Sequence, residues 1–226
     1  MKTQLRLNLD RDPAYGADDF VVSGANAATA TLVTEDWRAW PTGVLALIGP
    51  EGSGKTHLAR MWGEAVGAIL LRPPLTDITA LAGQPLLIEN VDLWADEDGL
   101  FHLLNSLTPG AALLLTARSR PSQWPAALPD LRSRLNALTV TELGAPDDVI
   151  LGGVLAKLFA ERNIRPADDL IPYLLPRMER SIPAARSLVA KLDEAAAQNK
   201  REVNRILAVQ VLEVESVTHD LFDGEP

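Results

Sequence analysis

Eight consecutive residues, Gly49-Pro50-Glu51-Gly52-Ser53-Gly54-Lys55-Thr56, restrict this chain more than any other stretch. They satisfy the phosphate-loop pattern G-x-x-x-x-G-K-[ST] at every fixed position. The apolar run Val44-Leu45-Ala46-Leu47-Ile48 stands before them, and residues 57–65 suit a helix. Strand, glycine-rich turn and helix are the setting in which the pattern works. Glycines let the turn fold tightly enough for successive backbone N–H groups to face a phosphate chain. The helix N-terminus adds partial positive charge. Lys55 is placed to reach the β- and γ-phosphates, and the Thr56 hydroxyl to hold Mg²⁺. An unremarkable glycine-rich turn is the competing reading, and the flanking elements oppose it.

A second feature fits the first. Pro85-Leu86-Leu87-Ile88-Glu89-Asn90-Val91-Asp92 is an aliphatic run ending in acids. An acid at the carboxyl end of such a strand meets Mg²⁺ directly or through water, and Glu89 is the expected one. Asn90 beside it is neutral and cannot act as a general base. Further apolar runs at 68–71 and 111–117 alternate with amphipathic segments at 57–66 and 100–107. This alternation continues through residue 143 and predicts an α/β domain with a parallel sheet covered on both faces.

The pattern changes after Gly144-Ala145-Pro146. Only helical spacing follows. Ile150, Leu151, Val154, Leu155, Leu158 and Phe159 make one apolar face. A second helix is expected from Pro166 through Leu174, a third from Ser181 or Ile182, and a fourth around residues 203–211. The expected organisation is a nucleotide-binding α/β domain at 13–144, a small helical lid domain at 145–214 and a loose acidic tail at 215–226.

The N-terminus carries a different signal. In Gln4-Leu5-Arg6-Leu7-Asn8-Leu9, leucines alternate with polar residues, and Asp10 to Pro13 ends the run. An edge strand reads this way. So does an extended peptide that docks in another protein's apolar groove. The residues alone leave both open.

Composition narrows the function classes. The chain has 226 residues and a formal net charge of −9, with 30 acids against 21 Lys and Arg. Duplex binding rests on neutralising phosphates with Lys and Arg, so no direct sequence-specific DNA binding is expected. There is no cysteine, which suits a reducing compartment. Neither a signal core nor a run of membrane-spanning length is evident, so a cytoplasmic protein with no membrane contact is expected.

The order of motifs resembles the DnaA-related branch of the AAA+ ATPases. Gly54-Lys55-Thr56-His57-Leu58 resembles the phosphate loop of the bacterial replication initiator DnaA. Phe20-Val21-Val22-Ser23-Gly24-Ala25-Asn26 resembles that family's segment around the adenine, and Leu131-Arg132-Ser133-Arg134-Leu135 its arginine-finger segment. Gln4-Leu5-Arg6-Leu7-Asn8-Leu9 resembles the peptide by which partners bind the polymerase sliding clamp. An AAA+ module with that peptide and no helix-turn-helix domain following its lid is similar to the Hda-type regulators of DnaA.

The resemblance implies specific roles. ADP or ATP, with Mg²⁺, is the expected ligand, its base flanked by Phe20, Val21 and Asn26. Gly49, Pro50, Glu51, Gly52, Ser53, Gly54, Lys55, Thr56 and His57 hold the phosphates, and Arg186 is the lid's nucleotide-sensing residue. Gln4, Leu5, Leu7 and Leu9 contact the clamp. Arg134 is an arginine finger supplied to the nucleotide of DnaA. The implied activity is stimulation of ATP hydrolysis by DnaA, which prevents over-initiation. Two departures from the DnaA pattern, Asn90 and Arg118, imply weak intrinsic hydrolysis. A homodimer or higher oligomer is compatible with the plan. The alternatives are a DnaA-related, ATP-driven loader acting on a helicase or DNA, and a small-molecule kinase.

Overall fold

The computed structural model describes residue 16 and residues 19–75, 78–108, 110–199 and 201–222. The leucine-rich peptide at 4–9 lies outside them.

The chain builds a three-layer α/β domain followed by a helical lid. Helix α1 (Ala27–Thr34) precedes strand β1 (Val44–Ile48), the phosphate loop and helix α2 (Lys55–Val66). Next come β2 (Ile69–Leu71), β3 (Leu86–Ile88), α3 (Glu97–Ser106), β4 (Leu113–Ala117), α4 (Pro129–Asn136) and β5 (Thr139–Glu142). The five strands are parallel, in the order β2-β3-β4-β1-β5. The order places β1, which carries the loop, between β4 and β5.

Residues of β1 are buried throughout, and the pleat divides them. Val44, Ala46 and Ile48 join Leu113, Leu115 and the leucines of α3 and α4 in one core. Leu45 and Leu47 join Leu114, Leu87 and the apolar side of α1 and α2 in another. Both faces of the sheet are thus covered, which is why its central strands are apolar at every position but Thr116 rather than alternating. The edge strand β5 reads Thr-Val-Thr-Glu and is only partly buried.

The lid comprises α5 (Asp148–Glu161), α6 (Leu170–Leu174), α7 (Ile182–Asn199) and α8 (Arg205–Phe222). Leu155, Phe159, Leu174, Val189, Leu192 and Leu207 are among the side chains of its own core. Two expectations change here. Helix α6 begins at Leu170, not at Pro166, because Arg165 to Asp169 form turn and coil. Helix α8 continues to Phe222, into the stretch where a loose tail was expected from residue 215. Among the described residues no helix is long and apolar enough to cross a membrane.

Candidate nucleotide site

The phosphate loop leaves β1 at Ile48 and enters α2 at Lys55. Gly52 and Gly54 adopt φ of 72° and 99°, left-handed values that side chains resist. At Gly52 the neighbourhood is also full. A Cβ there would lie 2.8 Å from both Pro183 Cδ and Ser181 Cβ at the start of α7. The loop and the lid are joined at this point, since the Ile182 N–H donates to the Gly52 carbonyl at 3.1 Å.

Lys55 is turned onto the loop it serves. Its Nζ donates to the carbonyls of Gly49 (2.8 Å) and Pro50 (2.7 Å). Burial lowers its pKa, as does the charge of Arg118, while Asp92 and Glu51 act in the opposite direction. A buried ammonium whose hydrogen bonds among the described residues go to neutral carbonyls gains from an anion, so the cradle fits a phosphate chain. Ser53 Oγ, in the same loop, is buried without a hydrogen-bond partner among the described residues.

The segment Phe20 to Asn26 bridges the two domains. Asn26 is buried and closes its own turn, accepting from the Ser23 N–H at 2.8 Å and donating to the Val21 carbonyl at 3.0 Å. Val21 packs on Gly153 of α5, where a Cβ would come within 2.9 Å of its Cγ1. Phe20 meets the His57 ring edge-on, with centroids 5.5 Å apart. Asp19 is paired with Lys157 of α5. Burial lowers the pKa of His57; a hydrogen bond to the Gly16 carbonyl raises it and the charge of Arg186 lowers it again. The loop, His57 and the Phe20–Asn26 segment are therefore gathered around one junction, and Arg186 stands exposed in the first two turns of α7, the helix that begins at the loop.

Asp147 fastens that junction. It caps α5 by accepting from the Ile150 N–H at 2.8 Å, and it accepts from Ser23 Oγ at 2.7 Å. These bonds hold its carboxyl below the ordinary aspartate value, the Ile150 bond first and the Ser23 bond second. A depressed carboxyl contributes stability that is complete above its unfolded-state pKa and is lost as pH falls through the folded one. Asp147→Ala is expected to cost about 1 kcal/mol at neutral pH, the usual worth of such a cap. The gap between wild type and mutant in denaturant titrations should close below the ordinary aspartate range. A gap that persists there would exclude the carboxylate as its source.

The remaining acids and arginines differ in their partners. Glu89 makes a two-pronged ion pair with Arg60 of α2, at 3.0 and 2.7 Å. Asp92, which sequence reasoning passed over, accepts from the Arg118 N–H at 3.1 Å and has its Oδ1 buried without a partner among the described residues. Arg134 is exposed on α4, and its side chain has no hydrogen bond or ion pair among the described residues. Arg132, two residues earlier, donates to the carbonyls of Pro121, Ser122 and Trp124.

No protein-family model matches the chain. It is 24% identical to the chromosomal replication initiator DnaA of Clavibacter sepedonicus, over 89% of its own length and 48% of that protein. The fold comparison is closer. Domain III of Thermotoga maritima DnaA superposes with a TM-score of 0.74 at 19% identity, covering 89% of this chain and 97% of that one. The chain has the fold of DnaA domain III. AMPPCP-bound DnaA from Aquifex aeolicus matches with a TM-score of 0.64 at 17% identity, over 84% of this chain and 69% of that one. The Thermotoga maritima RuvB Holliday junction branch migration motor shares the same fold, with a TM-score of 0.66 at 19% identity over 89% and 72%. The chain spans about half the length of the curated DnaA relatives it matches. That fold accounts for the order of elements from α1 through the lid, and for the loop lying where β1 meets α2.

Proposed function

We propose that this chain is an Hda-type AAA+ regulator. It binds ADP or ATP and stimulates ATP hydrolysis by DnaA, offering Arg134 in trans while its N-terminal peptide holds it on the sliding clamp. The contrast between two neighbouring arginines carries this reading: Arg132 is committed to three carbonyls, and Arg134 stands exposed without a partner among the described residues. A guanidinium kept available at the surface suits transfer to another subunit's phosphates.

In this reading the loop from Gly49 to Thr56 holds the phosphates of the chain's own nucleotide. Thr56 and Glu89 attend the Mg²⁺ that comes with them, Glu89 after release from Arg60. Neutral Asn90 leaves the chain's own hydrolysis slow, so its nucleotide sets shape rather than driving work. The setting is cytoplasmic, with no sequence-specific DNA contact.

The deciding experiment follows ATP bound to DnaA, with clamp loaded on DNA, with and without this chain. Stimulation by the wild type supports the proposal. Replacing Gln4 and Leu5 with alanine should abolish clamp binding and the stimulation, with folding and nucleotide affinity unchanged. If clamp binding survives, the peptide is an edge strand and the tether is wrong. A second reading, an ATP-driven loader, is favoured by the complete Lys55–Thr56 pair and requires rapid turnover of the chain's own ATP without DnaA.

A further inference from the structure

Thr56 and Arg60 are four residues apart on α2, so they share one face of that helix. Glu89 is the first residue after β3, and α2 packs on that strand: a Cβ on Gly63 would lie 3.6 Å from Leu87 Cδ2. Arg60 Nε donates to Glu89 Oε1 at 3.0 Å, and Arg60 Nη2 donates to Oε2 at 2.7 Å. A hydroxyl and a carboxylate are hard oxygen donors of the kind Mg²⁺ takes. The carboxylate already holds a cation here, so the donors Thr56 and Glu89 fit a metal. The cation it holds is the protein's own.

That guanidinium is hard to dislodge. It engages both oxygens of Glu89 in the two-pronged geometry that makes Arg–carboxylate pairs strong. The two side chains are 31% and 17% exposed, so water screens them less than it screens the Arg180–Asp148 pair on the surface. Mg²⁺ sheds its own water reluctantly and is usually held by one or two carboxylates together with substrate phosphates. Asn90, next in the chain after Glu89, adds no charge. The metal must therefore displace Arg60 or share Glu89 with it against the repulsion of like charges. We propose that Arg60 is a built-in competitor of Mg²⁺ at Glu89, so that this chain holds an adenine nucleotide with little help from the metal. The proposal rests on reading Gly49–Thr56 as a nucleotide site.

Titration calorimetry with ADP, in Mg²⁺ and again in EDTA, gives the factor by which the metal tightens binding. That factor should be within about threefold for the wild type and ~10-fold or more for Arg60→Met, which removes the charge and frees the carboxylate. Glu89→Gln added to Arg60→Met should return the factor to the wild-type value, because the freed carboxylate is its source. A pair that only fastens α2 to β3 gives another result: Arg60→Met lowers the melting temperature and leaves the factor unchanged, which overturns the proposal. So does a wild type that binds ADP ~10-fold or more tighter with the metal. Should Arg60→Met not fold, Arg60→Lys decides. It loses the fork and should raise the factor above the wild type's, and an unchanged factor overturns the proposal. Failure of the wild type to bind ADP in either condition removes the site reading and this inference with it; binding with a metal factor that Arg60 does not alter removes the inference alone.

Discussion

Lys55→Ala is expected to leave the chain folded and unable to bind ADP or ATP. The side chain is the one ammonium that the loop encloses, and its two present partners are carbonyls of the same loop. Removing it deletes the charge that a phosphate chain is bound for, while the glycine turn remains. Thermal unfolding with nucleotide reads this directly. A ligand at 100 times its Kd stabilises the folded state by ~2.7 kcal/mol, roughly 5–10 °C for a protein of this size. The wild type should show that shift and Lys55→Ala none. A mutant that keeps the shift would show that the loop is not the binding site, whatever its sequence.

Arg134→Ala should have the largest effect on activity, and the smallest on the protein itself. An arginine supplied to another subunit's phosphoryl group is worth ~10³–10⁵ in rate, so stimulation of DnaA should fall to background. Arg134→Lys should rescue little, because lysine keeps the charge and loses the planar fork. Nucleotide affinity, clamp binding and melting temperature should not move, since the side chain has no partner to lose among the described residues. Arg132→Ala makes the opposite pattern. It strands the carbonyls of Pro121, Ser122 and Trp124 and should lower stability by about 1–3 kcal/mol, with stimulation retained wherever the protein is folded. If Arg132→Ala alone loses stimulation at full stability, the finger is Arg132. If both variants stimulate normally, the trans mechanism fails.

These two arginines also show where sequence reading stops. The Leu-Arg-Ser-Arg-Leu segment is visible in the sequence, but the bonds that distinguish its arginines join α4 to a turn 8–11 residues earlier. Strands β1, β3 and β4 were legible because they are buried on both faces and therefore apolar throughout, Thr116 of β4 excepted. The partly buried edge strand β5, half threonine, carries no such mark. The loop was legible because its spacing is rigid. The partner of Glu89 was not, since Arg60 lies 29 residues away and comes alongside only when α2 packs on the sheet. Nor was Asp92: its position depends on the left-handed turn at Asn90, with φ of 52°.

The seam between Gly52 and the start of α7 has a mechanical meaning. The lid is not merely adjacent to the phosphate loop; one of its helices begins on it, by a hydrogen bond from Ile182 and by the contacts of Ser181 and Pro183 that a side chain at residue 52 would crowd. A displacement of that turn is transmitted to an 18-residue lever, α7, whose far end lies several turns away. If nucleotide fills the loop as proposed, any shift of that turn would be amplified along α7 and be largest at the distal surface of the lid, where it could be read from outside the protein.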